Sequence, residues 1–264
     1  EDLKAKGAVF VEELREIPDD AITVFSAHGV SQKVADTAEL RRLPVIDATC
    51  PLVAKVHKEG QRYSALGYDI VLIGHEGHPE VEGTMGRIPG TVYLVSSVEH
   101  VSKLAISNPT KLAYVTQTTL SVDDTRDVIE ALKLRFPEIV GPDVKDICYA
   151  TQNRQSAVRK LATEVDVLLV VGAQNSSNSN RLREIGAELD VPSYLIDDAG
   201  ALDVSWLVGT ETVGITAGAS APEALVQELI TRLGEFGEVE FVDFDGIEED
   251  VTFKLPSDLQ GVAA

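Results

Sequence analysis

Cysteine is scarce in this chain. Its 264 residues contain two, Cys50 and Cys148. That is too few for the disulfide lattice of a secreted domain, so a reducing, cytoplasmic compartment is expected. Basic residues are also few: 23 Lys and Arg stand against 43 Asp and Glu, a net charge of −20. A chain this acidic is repelled by phosphate backbones and anionic bilayers, so neither nucleic acid nor a membrane is an expected partner. An anionic small ligand would need donors gathered locally from backbone N–H groups, His, Ser and Asn. There is no apolar run of about 18 residues and no signal-peptide pattern, so no transmembrane helix and no secretory leader is expected. Low-complexity segments are missing too. The first residue is Glu1 rather than Met, and EDLKAKGAVFVEEL opens in mid-helix style. The expectation is an N-terminally truncated chain.

What is present is globular: 44% of residues are hydrophobic and 25% charged. Apolar, β-branched runs read as strands at 21–26, 43–47, 68–74, 91–96, 112–117, 165–172, 193–197 and 212–218. Helical stretches fall between them at 51–66, 121–135, 153–163, 178–190 and 221–236, with Ser121 as an N-cap. Alternation of strand and helix predicts an α/β fold with parallel sheets. The tail, 237–264, reads as a final strand or a wrapping arm.

The chain repeats itself. Cys50 to Gly74 and Cys148 to Gly172 are both 24 residues, and each glycine ends a strand and opens a polar loop. Cys50 to Thr116 is 66 residues and Cys148 to Thr216 is 68. Two copies of a cysteine–helix–strand–loop–strand–loop unit are therefore complete. Residues 1–49 read as the remnant of a first unit, with Ser26 at the slot of Thr116 and Thr216. Units two and three cover 50–147 and 148–236. The same spacing predicts a further cysteine about 40 residues before Glu1.

Four strands end in loops of small polar residues: SAHGVS (26–31), GHEGHPEVEGTMG (74–86), GAQNSSNSN (172–180) and TAGASAP (216–222). Ligands of open α/β sheets bind at the carboxyl ends of strands, and such loops present N–H groups and hydroxyls to anions. One Ser or Asn is explained by helix capping; four such loops suggest a phosphate or diphosphate pocket. His57, within a helix, and His100, in a loop, read as structural or solvated. His28 and His78 read as donors to phosphate oxygens. The His75-x-x-His78 spacing also suits zinc, without a third ligand in range. Glu80 and Glu82 are either proton-relay groups or acids favoured at a helix N-terminus. Thr118 and Thr119 add hydroxyls. Each cysteine is a core thiol, half of a disulfide or a metal ligand; their matching places in the repeat favour the last. Three such thiolates would suit an iron–sulfur cluster with one open iron, or zinc. Beside a phosphate pocket, an open iron implies reduction of a phosphorylated substrate.

The segments FSAHGVS, DATCPLVAKVH, IGHEGHPEVEGTMG, VTQTTLSVDDT, DICYATQNRQ, GAQNSSNSNRL and TAGASAP, in this order over residues 1 to about 255, resemble the LytB family of 4-hydroxy-3-methylbut-2-enyl diphosphate reductases. The resemblance implies three pseudo-repeated α/β units in a cloverleaf around a central 4Fe-4S cluster, the first unit incomplete here. It implies removal of the C4 hydroxyl of an allylic diphosphate to give isopentenyl and dimethylallyl diphosphates, the last step of the methylerythritol phosphate route. By the same resemblance Cys50 and Cys148 are cluster ligands, the third being missing from this chain. His28, His78, Ser176, Ser177, Asn178 and Ser220 hold the diphosphate. Thr118 lies near the substrate hydroxyl, Glu80 donates a proton, and a ferredoxin or flavodoxin supplies electrons. Two other readings of the residues remain: a non-redox binding module for a phosphorylated metabolite, and an inactive fragment of the reductase.

Overall fold

The computed structural model describes residues 2–256 and 259, except 245 and 248. Its strands are all parallel and form three sheets. The chain divides into two compact units. One comprises residues 1–117, 127–146 and 251–264, the other 118–126 and 147–250.

The first unit opens with a short helix α1 (Asp2–Ala5), and holds two of the sheets. Strand β1 (Thr23–Phe25) leads through helix α2 (Gln32–Leu40) to β2 (Val45–Asp47), and the two pair with Val24 opposite Ile46. Helix α3 (Pro51–Ala65) then leads to β3 (Asp69–Ile73). Strand β3 is the centre of the second sheet. It is flanked by β4 (Val92–Val95), reached through helix α4 (Pro79–Arg87), and by β5 (Leu112–Thr116), reached through α5 (Val98–Lys103). Residues Ile70 to Ile73 and Leu112 to Val115 are buried, as a parallel sheet covered on both faces requires.

Helix α6 (Val122–Arg135) runs from the second unit into the first. The second unit repeats the topology: α7 (Tyr149–Leu161), central strand β6 (Val167–Val171), α8 (Ser177–Glu188), edge strand β7 (Ser193–Ile196), edge strand β8 (Val213–Ala217) and α9 (Glu223–Gly234). The alternation of β6 is visible in its packing. Leu168 and Val170 meet Val158 of α7 and Leu182 and Ile185 of α8. Val167, Leu169 and Val171 meet Leu229 and Leu233 of α9 on the other face. Each fully buried Leu, Ile or Val contributes about 1.5–3 kcal/mol.

All eight expected strands are present, trimmed at their ends. Ser121 caps α6 as expected, its hydroxyl accepting from the Asp124 N–H at 3.2 Å. Three helices were not expected: α2, α4 and α5. The omission of α4 has a clear cause. Its Gly83 and Gly86 lower helix propensity, yet a Cβ on Gly83 would lie 3.0 Å from the Gly29 carbonyl, and one on Gly86 would lie 2.3 Å from Ser31 Cβ. Packing against the 26–31 loop selects glycine there. His100 belongs to α5 rather than to a loop, with Nδ1 3.1 Å from Ser96 Oγ. Helix α7 begins four residues earlier than 153, directly after Cys148. In the tail, no helix or strand forms between residues 237 and 256 among those described.

The repeat is exact in one respect and displaced in another. The Cys50 N–H donates to the Ala27 carbonyl (2.9 Å), and the Cys148 N–H to the Thr118 carbonyl (3.0 Å). Each cysteine is thus tied two residues beyond the end of a strand, β1 or β5. The short strand before Cys50, β2, also has its counterpart in the parallel bridge of Val140 with Ala113. These bonds align Phe25 with Thr116, so Ser26 matches Gln117 and not Thr116.

Candidate functional site

In the first unit the loops after β1, β3 and β5 carry the candidate groups. The His28 and His78 rings meet edge to face, 5.5 Å between centroids. His78 is the N-cap of α4, and its Nδ1 accepts from the Glu80 N–H at 3.2 Å. A neutral imidazole has one donor and one acceptor nitrogen, so this bond assigns the proton to Nε2 and leaves an N–H donor for an anion. Burial first, then the His28 and His75 rings, push His78 down to about 4. Burial of the ring lowers His28 as well. Both are therefore neutral donors at pH 7. Next in α4, Glu80 is 1% exposed while Glu82 faces solvent. A buried carboxyl is costly unless partnered, so a solvated first-turn acid describes Glu82 and not Glu80. Gln117, buried at the end of β5, accepts the His75 N–H at 3.1 Å and ties the second loop to the third.

His57 is more than a mid-helix residue. It lies under the His28 loop: a Cβ on Gly29, whose φ is +77°, would sit 2.7 Å from His57 Cε1. Its Nε2 is buried with no hydrogen-bond partner among the described residues. Burial, then Arg87, push it down to about 4 against an opposing effect of Asp47. No sequence pattern marks this contact, because the two residues are brought together by the tie between Cys50 and Ala27.

Cys50 is the half-buried N-cap of α3, with Pro51 in the first turn, where its missing N–H costs nothing. Its side chain makes no capping bond. In the second unit Cys148 is likewise a half-buried N-cap, of α7, but its Sγ accepts from the Thr151 N–H (3.3 Å) and lies 2.9 Å from Thr151 Oγ1. Neither cysteine is in a disulfide. Both open a helix. Two such thiols suit iron, and the donor set is compatible with the iron–sulfur group the resemblance implies. Among the described residues no group of three His, Cys, Asp or Glu could hold a metal ion, which includes His75 and His78.

The remaining donors are in the second unit. Thr118 is buried, and its own carbonyl accepts the Cys148 N–H at 3.0 Å. Ser176 caps α8 through the Ser179 N–H at 3.3 Å, and Ser177 Oγ donates to the Thr119 carbonyl at 3.4 Å. Asn178 is 5% exposed, yet neither Oδ1 nor Nδ2 has a partner among the described residues. Each such buried group costs about 1–3 kcal/mol. The ends of β6 and β8 close on this helix start: a Cβ on Gly172 or on Gly218 would lie 2.2 Å from Ser179 Oγ. The Gly218 position also lies 3.5 Å from Asn178 Nδ2. Ser220 is exposed in the loop that follows. The unpartnered Asn178 amide thus lies where the ends of β6 and β8 meet the start of α8.

The comparisons agree with these motifs. A family model described as LytB protein matches residues 1–234. The chain is 60% identical over 259 residues to 4-hydroxy-3-methylbut-2-enyl diphosphate reductase 2 of Bradyrhizobium diazoefficiens, covering 98% of this chain and 84% of that protein. It is 59% identical over 262 residues to the 4-hydroxy-3-methylbut-2-enyl diphosphate reductase of Zymomonas mobilis, covering 99% and 77%. The solved structure of the E-1-hydroxy-2-methyl-but-2-enyl-4-diphosphate reductase from Plasmodium falciparum superposes with a TM-score of 0.91 at 38% identity, over 99% of this chain and 83% of that one. The chain belongs to the LytB protein family.

Proposed function

We propose that this chain is the catalytic part of a reductase that converts 4-hydroxy-3-methylbut-2-enyl diphosphate to isopentenyl and dimethylallyl diphosphates. The observation that carries the reading is Asn178, a buried amide without a partner among the described residues in the first turn of α8, in a chain 60% identical to a reductase of that diphosphate. The reaction consumes two electrons and two protons: the C4–O bond breaks, the oxygen leaves as water and the allylic fragment gains a proton. In this reading the neutral His28 and His78 donate Nε2–H groups to diphosphate oxygens. The Ser176, Ser177 and Ser220 hydroxyls and the Asn178 amide do the same from the second unit. Thr118 holds the substrate hydroxyl, and Glu80, dry in the first turn of α4, delivers the proton that lets it leave.

Cys50 and Cys148 would hold an iron–sulfur cluster. When bound, the cluster passes in the two electrons and provides a Lewis-acidic iron. A ferredoxin or flavodoxin is the proposed donor. Cysteines outside any disulfide also favour a reducing, cytoplasmic setting. The test is single-turnover reduction of the allylic diphosphate by the anaerobically reconstituted chain. Product with Glu80 intact and none with Glu80→Gln is expected; tight diphosphate binding without reduction would instead favour a non-redox binding module.

A further inference from the structure

The first two turns of α7 hold more than a cysteine. Thr151 fixes Cys148 Sγ. Gln155, 2% exposed, donates to the Leu120 carbonyl (2.8 Å) and accepts from the Val122 N–H (3.1 Å), so it clamps the loop that carries Thr118. Arg154 Nη1 donates to the carbonyl of Ala217 (2.8 Å), the last residue of β8, where Gly218, Ala219 and Ser220 begin. Three adjacent side chains of one helix thus set three loops of the second unit.

Arg154 differs in its charge partners from half-buried Arg159 and buried Arg181 of the same unit. Arg159 pairs with Asp123, and Arg181 faces Asp124, Glu184 and Glu188. Arg154 pairs with no carboxylate among the described residues; its Nε, like Arg181 Nε and Arg159 Nη1, is buried without a hydrogen-bond partner there. In a chain of net charge −20, a half-buried guanidinium with no carboxylate partner among the described residues is left able to act on an anion. It is anchored on Ala217, directly before the Gly218 position that adjoins the Asn178 amide.

We propose that Arg154 is a positioning residue for anion binding: it fixes the Gly218–Ser220 loop and keeps the strand end beside Asn178 electropositive. The inference rests on the diphosphate reading and names a residue that reading does not use. The test is calorimetric titration of the full chain with inorganic pyrophosphate, with thermal melts run in parallel. Arg154→Gln is expected to bind about tenfold more weakly, with the gap from the unaltered chain narrowing at high salt. Arg154→Lys, which keeps the charge, is expected to lose less. Adding Ser220→Ala to Arg154→Gln is expected to cost nothing more, because the loop is already released. Affinity of Arg154→Gln within twofold of the unaltered chain overturns the inference. So do fully additive losses with Ser220→Ala, or equal losses for Lys and Gln that follow the fall in melting temperature. Asn178→Ala separates the two levels. Unchanged affinity in that variant overturns the diphosphate reading itself, whereas a loss there beside an unaffected Arg154→Gln overturns only the role of Arg154.

Discussion

The two units carry different chemistry at their strand ends. The first offers imidazoles: His28 and His78, ring against ring, with His57 beneath their loop. The second offers hydroxyls, an amide without a partner among the described residues and a guanidinium that pairs with no carboxylate among them. The units also differ in how they hold their cysteines. Thr151 engages the sulfur of Cys148, while Cys50 has no capping bond and depends on Pro51 and the Ala27 carbonyl for its orientation. One repeat topology has therefore been furnished twice. The lesson is that topology supplies strand ends and helix starts, and the loop residues decide whether proton transfer or fixed polarity is placed on them.

That contrast can be broken by mutation. The largest effect should come from the first unit, through Glu80. Glu80→Gln is expected to lower turnover by roughly 10²–10⁴-fold, the usual contribution of a positioned acid, while pyrophosphate affinity measured by calorimetry stays within a few-fold. Loss of affinity instead would make Glu80 a structural cap and remove the proton-transfer half of the contrast.

Acid stability should follow. His57 titrates near 6.5 when unfolded and near 4 when folded. Between those values the unfolded chain binds more protons, so stability is full above pH 6.5 and is lost as pH falls toward 4. The loss amounts to roughly 2–3 kcal/mol for this group. Urea melts of His57→Gln should show a flatter pH profile across that window. An unchanged slope would mean that another group drives it.

Asn178→Ala is expected to weaken pyrophosphate binding by roughly 1–3 kcal/mol, by the same factor at every pH. His78→Gln sharpens the comparison from the other side. An anion beside His78 raises its lowered pKa, so affinity should climb as pH falls below neutrality, and this climb should shrink in the variant. A pH dependence that survives His78→Gln but vanishes in Asn178→Ala would reverse the assignment of the two units. Ser220→Ala, at an exposed position, should have the smallest effect, about 1 kcal/mol or less.

Much of this was legible in the sequence, for reasons that differ by element. The central strands β3 and β6 were plain because five-residue β-branched runs buried on both faces leave no periodic ambiguity. Pro51 and Ser121 announced helix starts by their own chemistry. Helix α4 was hidden because its two glycines serve the 26–31 loop rather than the helix. The slot of Ser26 was misjudged by one residue because spacing from a cysteine counts residues, whereas the Cys50–Ala27 and Cys148–Thr118 bonds count strand ends. His57 and Arg154 stayed silent for a related reason. Each acts on a segment distant in sequence, and nothing local in VAKVH or TQNRQ shows which carbonyl or glycine it will meet.

The central claim of the proposed function is that Cys50 and Cys148 support reduction of the allylic diphosphate. The most direct measurement is anaerobic reconstitution of the chain with iron and sulfide, followed by reduction of 4-hydroxy-3-methylbut-2-enyl diphosphate with a chemical reductant and quantitation of the products. Isopentenyl and dimethylallyl diphosphates should form with the unaltered chain, and both iron binding and product should disappear in Cys50→Ser/Cys148→Ser. Equal iron content and equal product in that double variant would contradict the claim.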